Sequence, residues 1–224
     1  MGTQVLRTDA PAELAGSLLA DALGGLIAAR GFARLAISGG PGSEAVGRAR
    51  RALGERGEAW RRVLLTWATQ AAVPDADPAS ERGEAYRRGY LTPDDPPGFE
   101  LPLWLDGDTP PTALARVTEG LAGPFEGGLD VCLLELGPDG SLAALHPGRP
   151  ILSGPVAFVS DLPGSSTPRM TLTASTLATA AGSVVLALGP GMDAILDRVL
   201  EEHPAFPTSA LSGLLIVTDR GPHR

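Results

Sequence analysis

Three short stretches hold the residues whose types and spacing could do chemistry. The first is Ser38-Gly39-Gly40-Pro41-Gly42-Ser43, which joins an apolar run to a helical pattern. Its glycines let backbone approach an anion, and free N–H groups at a helix start favour phosphate. It is not a GxGxxG fingerprint, nor a Walker loop, which needs a lysine that this chain lacks. The second is Leu134-Glu135-Leu136-Gly137-Pro138-Asp139-Gly140-Ser141. It sets a carboxylate, Glu135, at the end of an apolar run and a second one, Asp139, in an Asp-Gly turn that could simply shape the loop. The third, Pro168-Arg169-Met170-Thr171-Leu172-Thr173, carries one arginine that could grip a phosphate bidentately.

These stretches fall at the ends of short, continuously apolar runs. Leu35–Ile37, Val63–Trp67, Leu129–Leu136, Val156–Val159, Val184–Leu188 and Leu214–Val217 read as strands buried on both faces. Leu101–Leu105 is a further candidate strand. Helical patterns alternate with them. Leu14, Leu18, Ala22 and Leu26, with Leu19, Leu23 and Ile27 beside them, mark an amphipathic helix that Gly31 stops. Others are expected over 44–53, 81–90 and 112–120. Alternation of this kind predicts an α/β fold with a mostly parallel sheet covered by helices, in one domain over residues 1–224. Ligands of such sheets bind at the carboxyl ends of the strands, near the point where strand order reverses. The loops after Ile37, Trp67, Leu136 and Leu188 are therefore the ones to watch.

Composition narrows the function classes. All 18 basic residues are arginine and the net charge is −8. Without lysine there is no Schiff-base or lysine phosphate anchor, and without a basic stripe there is no nucleic-acid footprint. The pairs Arg50-Arg51, Arg61-Arg62 and Arg87-Arg88 are expected as solvated helix ends. Cys132 is the sole cysteine, expected as a small buried core residue; it rules out an internal disulfide and any multi-cysteine metal site, and no metal or other cofactor is indicated. The uncharged stretch from Met170 to Met192 is too rich in threonine and serine for a membrane span and reads as a helix followed by a strand. No secretory signal is visible, so the expectation is a soluble, cytoplasmic protein, a monomer or small homo-oligomer.

Order and spacing of the motifs resemble the 6-phosphogluconolactonase family from Ala36 to Asp219. In that family one strand ends in Trp-Gly-Asp-Glu-Arg, closely followed by Val-Pro; here Trp67-Ala68-Thr69-Gln70-Ala71-Ala72-Val73-Pro74 keeps the flanks and loses the three charges. The family's Leu-Gly-x-Gly-x-Asp-Gly-His, then a small helix ending in Phe-Pro, is matched by Leu134 to Ser141, then Leu142–Leu145 and His146-Pro147. Pro168-Arg169-Met170-Thr171-Leu172-Thr173 looks intact, and Pro207 and Thr218-Asp219 resemble later elements. The resemblance implies a Rossmann-like three-layer α/β/α sandwich, shared with glucosamine-6-phosphate isomerases, and lactone hydrolysis in the pentose phosphate pathway.

Departures gather at the positions to which the resemblance assigns function. The histidine that takes a proton from the attacking water is Ser141 here, and a hydroxyl cannot serve as that base. The loop's usual Thr-Pro is Gly42-Ser43, and the expected lysine falls at Met192 or Asp193. Weak substitutes for the base are Glu135 and Asp139, although Glu135 is expected to pair with an arginine. His146 lies five residues beyond Ser141, about 7.5 Å and about 140° away on a helix, and is expected to point elsewhere as a partly buried structural residue. His203 and His223 are expected in solvent.

The resulting expectation is a 6-phosphogluconolactonase-like protein with impaired or no catalysis. It retains at most a sugar-phosphate pocket around Gly39, Gly40, Gly42, Ser43, Gly140, Ser141 and Arg169, with Arg169 facing the Gly39-Gly40 loop. An active lactonase with a rearranged site is the first alternative. A structural subunit that binds a protein partner and no ligand is the second.

Overall fold

A computed structural model describes residues 3–55, 58–201 and 203–219. Seven strands form one parallel sheet: β1 (Gln4–Arg7), β2 (Ala33–Ile37), β3 (Val63–Trp67), β5 (Phe99–Leu101), β6 (Val131–Glu135), β9 (Gly182–Ala187) and β10 (Leu214–Thr218). Three more, β4 (Thr69–Ala71), β7 (Val156–Val159) and β8 (Arg169–Leu172), make a small antiparallel sheet. The helices are α1 (Pro11–Arg30), α2 (Pro41–Gly54), α3 (Glu81–Arg87), α4 (Pro110–Ala122), α5 (Ala174–Leu177) and α6 (Met192–Leu200).

The large sheet runs β1-β10-β9-β6-β2-β3-β5. From β2 the chain steps outward through β3 to β5, then returns to the other side of β2 and continues through β6, β9 and β10. Strand order thus reverses between β2 and β6, where Leu35 lies opposite Val131 and Ile37 opposite Leu133. Being parallel neighbours, β2, β3, β6 and β9 end on one rim, as expected from the sequence. Every residue of β2 is buried, which is why these strands read as unbroken apolar runs.

Helix α1 starts with Pro11 and ends at Gly31, whose left-handed φ of 92° lets its N–H reach the Ile27 carbonyl. Its 20 residues and mean hydropathy of 1.4 would suffice to cross a bilayer, yet Ala15, Leu19 and Leu23 are fully buried in the protein core. The buried face is Ala15, Gly16, Leu19, Ala20 and Leu23, rotated from the expected stripe so that Ala22 is exposed. Small residues set that rotation. A Cβ at Gly16 would lie 2.8 Å from Arg48 Cβ and 2.9 Å from the Ala45 carbonyl, so α1 meets α2 through its smallest side chains.

Several expectations need correction. Val156–Val159 is a strand, but of the antiparallel sheet. The Met170–Met192 stretch begins inside β8 and holds only the four-residue α5 before β9. The strand expected at Leu101–Leu105 is Phe99–Leu101, because Pro102 has no N–H to continue the ladder. Arg50 is not solvated: its guanidinium reaches Asp95 at 2.9 Å and its side chain is 12% exposed. Cys132 is the small core residue expected, and burial pushes its thiol up to about 12.

Candidate functional site

The loop after β2 lies at the reversal point. Ser38 donates its N–H to the Leu133 carbonyl, and its hydroxyl accepts the Glu135 N–H at 3.3 Å. Gly40 caps α2 with a positive φ of 58°, and Pro41 opens the helix. The next two amides are turned inward: Gly42 N–H bonds the Gly39 carbonyl at 3.2 Å and Ser43 N–H the Gly40 carbonyl at 3.0 Å. Two donors of the anticipated phosphate cradle are thus already used. Ser43 is buried, and among the described residues its hydroxyl has no hydrogen-bond partner.

Arg169 faces this loop, but across another side chain. Its Nη2 is paired with Glu81 Oε1, and its Nε donates to the Thr69 hydroxyl at 3.0 Å. The other Glu81 oxygen accepts the Ala71 N–H at 2.8 Å. The stem of Glu81 lies against Gly39, where a Cβ would come within 2.3 Å of Glu81 Cγ. The carboxylate therefore sits between the arginine and the glycine loop, where a clamped phosphate was expected. Nothing in the local sequence singles out Glu81. It is simply the first residue of a short helix behind the Ser80 cap.

The stretch that has lost the charges expected from the resemblance now has a structural task. Thr69, Gln70 and Ala71 pair with Thr171, Met170 and Arg169 as β4 against β8. Gln70 is fully buried, donates to the Trp104 carbonyl and accepts from the N–H groups of Leu103 and Trp104. Met192, one of the two positions at which a lysine was expected, is buried in the core and offers no charge.

Glu135 ends β6 beside the loop, with Oε2 3.1 Å from the position of a Cβ on Gly40. The expected arginine partner is absent: among the described residues Glu135 forms no ion pair. Arg169 is held by Glu81 instead. Burial raises the Glu135 carboxyl above its ordinary range. The folded chain thus keeps a proton that the unfolded chain releases. The stability this provides is complete below the unfolded glutamate pKa and is lost as pH rises through the folded one. Thermal melts over a pH series should show Glu135→Gln more stable than the parent at neutral pH, with the gain vanishing in acid.

Beyond β6 the chain folds back on itself. Gly137 N–H bonds the Ser141 carbonyl at 2.8 Å, and Ser141 N–H bonds Asp139 Oδ1 at 3.0 Å. Gly140, at φ 78°, has no room for a Cβ, which would lie 2.1 Å from the Phe206 ring. The small helix expected at Leu142–Leu145 is instead a tight reversal: Leu142 and Leu145 exchange backbone bonds and Ala143 takes a φ of 55°. His146 is partly buried, as expected, but this reversal changes where it points. It returns to the loop and hydrogen-bonds Asp139, Nδ1 to Oδ2, at 3.1 Å, with its side chain 14% exposed. Burial pushes Asp139 upward, but bonds from Ser141 and the neighbouring His146 leave it net below the usual carboxylate range. His203 is exposed, as expected; His223 lies outside the described residues.

From residue 7 to residue 214 the chain matches the family described as glucosamine-6-phosphate isomerases/6-phosphogluconolactonase. The chain belongs to that family. A 6-phosphogluconolactonase of Caulobacter vibrioides is 30% identical over 163 residues, covering 68% of this chain and 67% of the relative. One of Mycobacterium tuberculosis is 32% identical over 190 residues, covering 79% and 76%. Among solved structures, a 6-phosphogluconolactonase from Shewanella baltica superposes with a TM-score of 0.77 at 18% identity, over 97% of each chain. A monomeric glucosamine-6-phosphate deaminase gives a TM-score of 0.78 at 17% identity, over 98% of each. At those identities the structures establish the shared α/β fold. The sequence relatives support a 6-phosphogluconolactonase-like protein.

Proposed function

We propose that this chain, as one domain, is a 6-phosphogluconolactonase-like protein with little or no lactonase turnover, and that a sugar phosphate enters its crevice only by displacing Glu81. The observation that carries this reading is the Glu81 carboxylate held by Arg169 against Gly39. Lactone hydrolysis needs a base to take a proton from water as it attacks the carbonyl carbon. Ser141 is no base, and losing one costs about 10²- to 10⁴-fold. An arginine neutralised by an internal carboxylate also gives up charge-assisted bonds worth roughly 1.5–3 kcal/mol each.

The test is hydrolysis of 6-phosphogluconolactone by this chain, beside buffer and the Mycobacterium tuberculosis relative. Little or no acceleration over buffer is expected at neutral pH, and Ser141→His should recover at most a small part of the relative's rate. Robust turnover that survives Arg169→Ala would overturn the proposal.

The second reading, an active lactonase with a rearranged site, is favoured by one observation. Glu135 brings a carboxyl with a raised pKa, unpaired among the described residues, to the crevice beside Gly40. A base of that kind could replace the missing histidine. Under it, turnover is substantial, and both Arg169→Ala and Glu135→Gln abolish it.

A further inference from the structure

Beside the loop after β6 lies a cavity of about 480 Å³, a size that suits a small molecule. Leu145, Leu152, Val159 and Phe206 make much of its wall, and Ile151, 93% exposed, adds an apolar side chain to it. Neither the glycine loop after β2, nor Glu135, nor Arg169 lines this cavity. Its two charged side chains bond each other: Arg149 reaches Asp161 Oδ2 at 3.1 Å and the Asp161 carbonyl at 2.9 Å. No arginine in the wall is left over for a phosphate.

His146 is part of the wall. Because Asp139 is ionised, its carboxylate accepts, which puts the ring proton of neutral His146 on Nδ1 and leaves the Nε2 lone pair available. Nε2 has no partner among the described residues. A carboxylate that fixes the tautomer of an imidazole is the arrangement that makes a histidine an effective base.

We propose that this cavity is a second hydrolytic site for an uncharged lactone or ester with an apolar substituent, with His146 as general base and Asp139 as the positioning residue. Water attacks the acyl carbon while Nε2 takes its proton, forming the new C–O bond. The bond from the acyl carbon to the leaving oxygen then breaks, and the imidazolium returns the proton to that oxygen. An ester yields an alcohol and a carboxylic acid, and a lactone a single hydroxy acid, with no change of oxidation state. Phosphate has no part in this reaction, so the inference goes beyond the crevice reading and neither depends on the other.

The experiment measures hydrolysis of p-nitrophenyl butyrate and δ-decalactone by the full chain, with 6-phosphogluconolactone assayed in parallel. Acceleration over buffer is expected for the uncharged substrates. His146→Gln should remove it by about 10²- to 10⁴-fold, and free imidazole should restore part of the rate to His146→Ala. Asp139→Asn should lower kcat with little change in KM. Ala210→Trp, at an exposed position on the wall, should raise KM at least about tenfold without disturbing the fold. No turnover of the uncharged substrates, or a rate untouched by His146→Gln and by Ala210→Trp, would overturn the proposal. Turnover of the phosphorylated lactone alone would overturn both this inference and the preferred reading of the crevice. Turnover of the uncharged substrates alone supports both.

Discussion

Glu81→Ala should give a protein whose melting temperature climbs with phosphate concentration, while that of the parent stays flat. In the parent, Arg169 and Glu81 are 21% and 17% exposed, so the pair is largely out of water. Removing one member of such a pair leaves the other charge uncompensated, at a cost of about 3–5 kcal/mol. Phosphate that binds the freed guanidinium would restore about 2.7 kcal/mol at a hundredfold excess over its dissociation constant. The parent should not respond because its own carboxylate is tethered in place, at an effective concentration that free phosphate must outcompete. Thermal and urea melts with and without phosphate, on both proteins, check this. A variant insensitive to phosphate would mean that Arg169 and the glycine loop do not form an anion site, and the crevice reading would lose its support.

Arg82→Ala should cost about 3–5 kcal/mol as well, read from the same melts. Arg82 donates from Nε to Glu100 at 2.8 Å, pairs with Asp75 through Nη1, and stacks 5.0 Å from the Tyr86 ring centre. Tyr86 donates its hydroxyl to the same Glu100 at 2.7 Å. Burial first, and then the Glu100 carboxylate, push that phenol above its ordinary range. Glu100 is only 14% exposed, so without Arg82 its charge is left facing Tyr86 and the Trp67 indole. This network fixes α3, which delivers Glu81 to the crevice. Gly83 adds to the fit, since a Cβ there would lie 1.9 Å from the Asp75 carbonyl. Arg82→Ala should therefore also acquire some of the phosphate response of Glu81→Ala. A loss below about 1 kcal/mol would show that the network behaves as an exposed salt bridge.

The parallel strands were legible because β2, β6, β9 and β10 are buried along almost their whole length, and continuous burial writes itself as continuous apolar sequence. β4 and β8 were not. Thr69-Gln70-Ala71 is short and mostly polar, and Thr171, the one threonine of β8, is buried by donating its hydroxyl to the Ala68 carbonyl. At the crevice, Arg169 reaches Gly39 only through Glu81, a residue that no sequence motif pointed to. Its role depends on a contact 88 residues away in sequence, which no local pattern encodes. The direction of His146 was illegible for a different reason. Helical spacing would turn it away from the loop, whereas Ala143 adopts a left-handed conformation that residues other than glycine seldom take.

Sheet order also dictates when the structure can come into being. The central pair β2–β6 joins segments about as distant as Arg34 and Asp130, 96 residues apart, and α1–β2 must wait for that much chain before its inner edge is covered. The outermost pair is more extreme, because Gln4–Arg7 docks alongside Leu215–Thr218. β1 is therefore placed later than its neighbours in the sequence, after β10 has paired with β9. During synthesis β2 can recruit β3 and β5 early, while the β6–β9–β10 half assembles late and through long loop closures, which slow folding. Until then the apolar edges of β2 and β9 stand open, so a stalled or truncated chain is the form of this protein most exposed to aggregation.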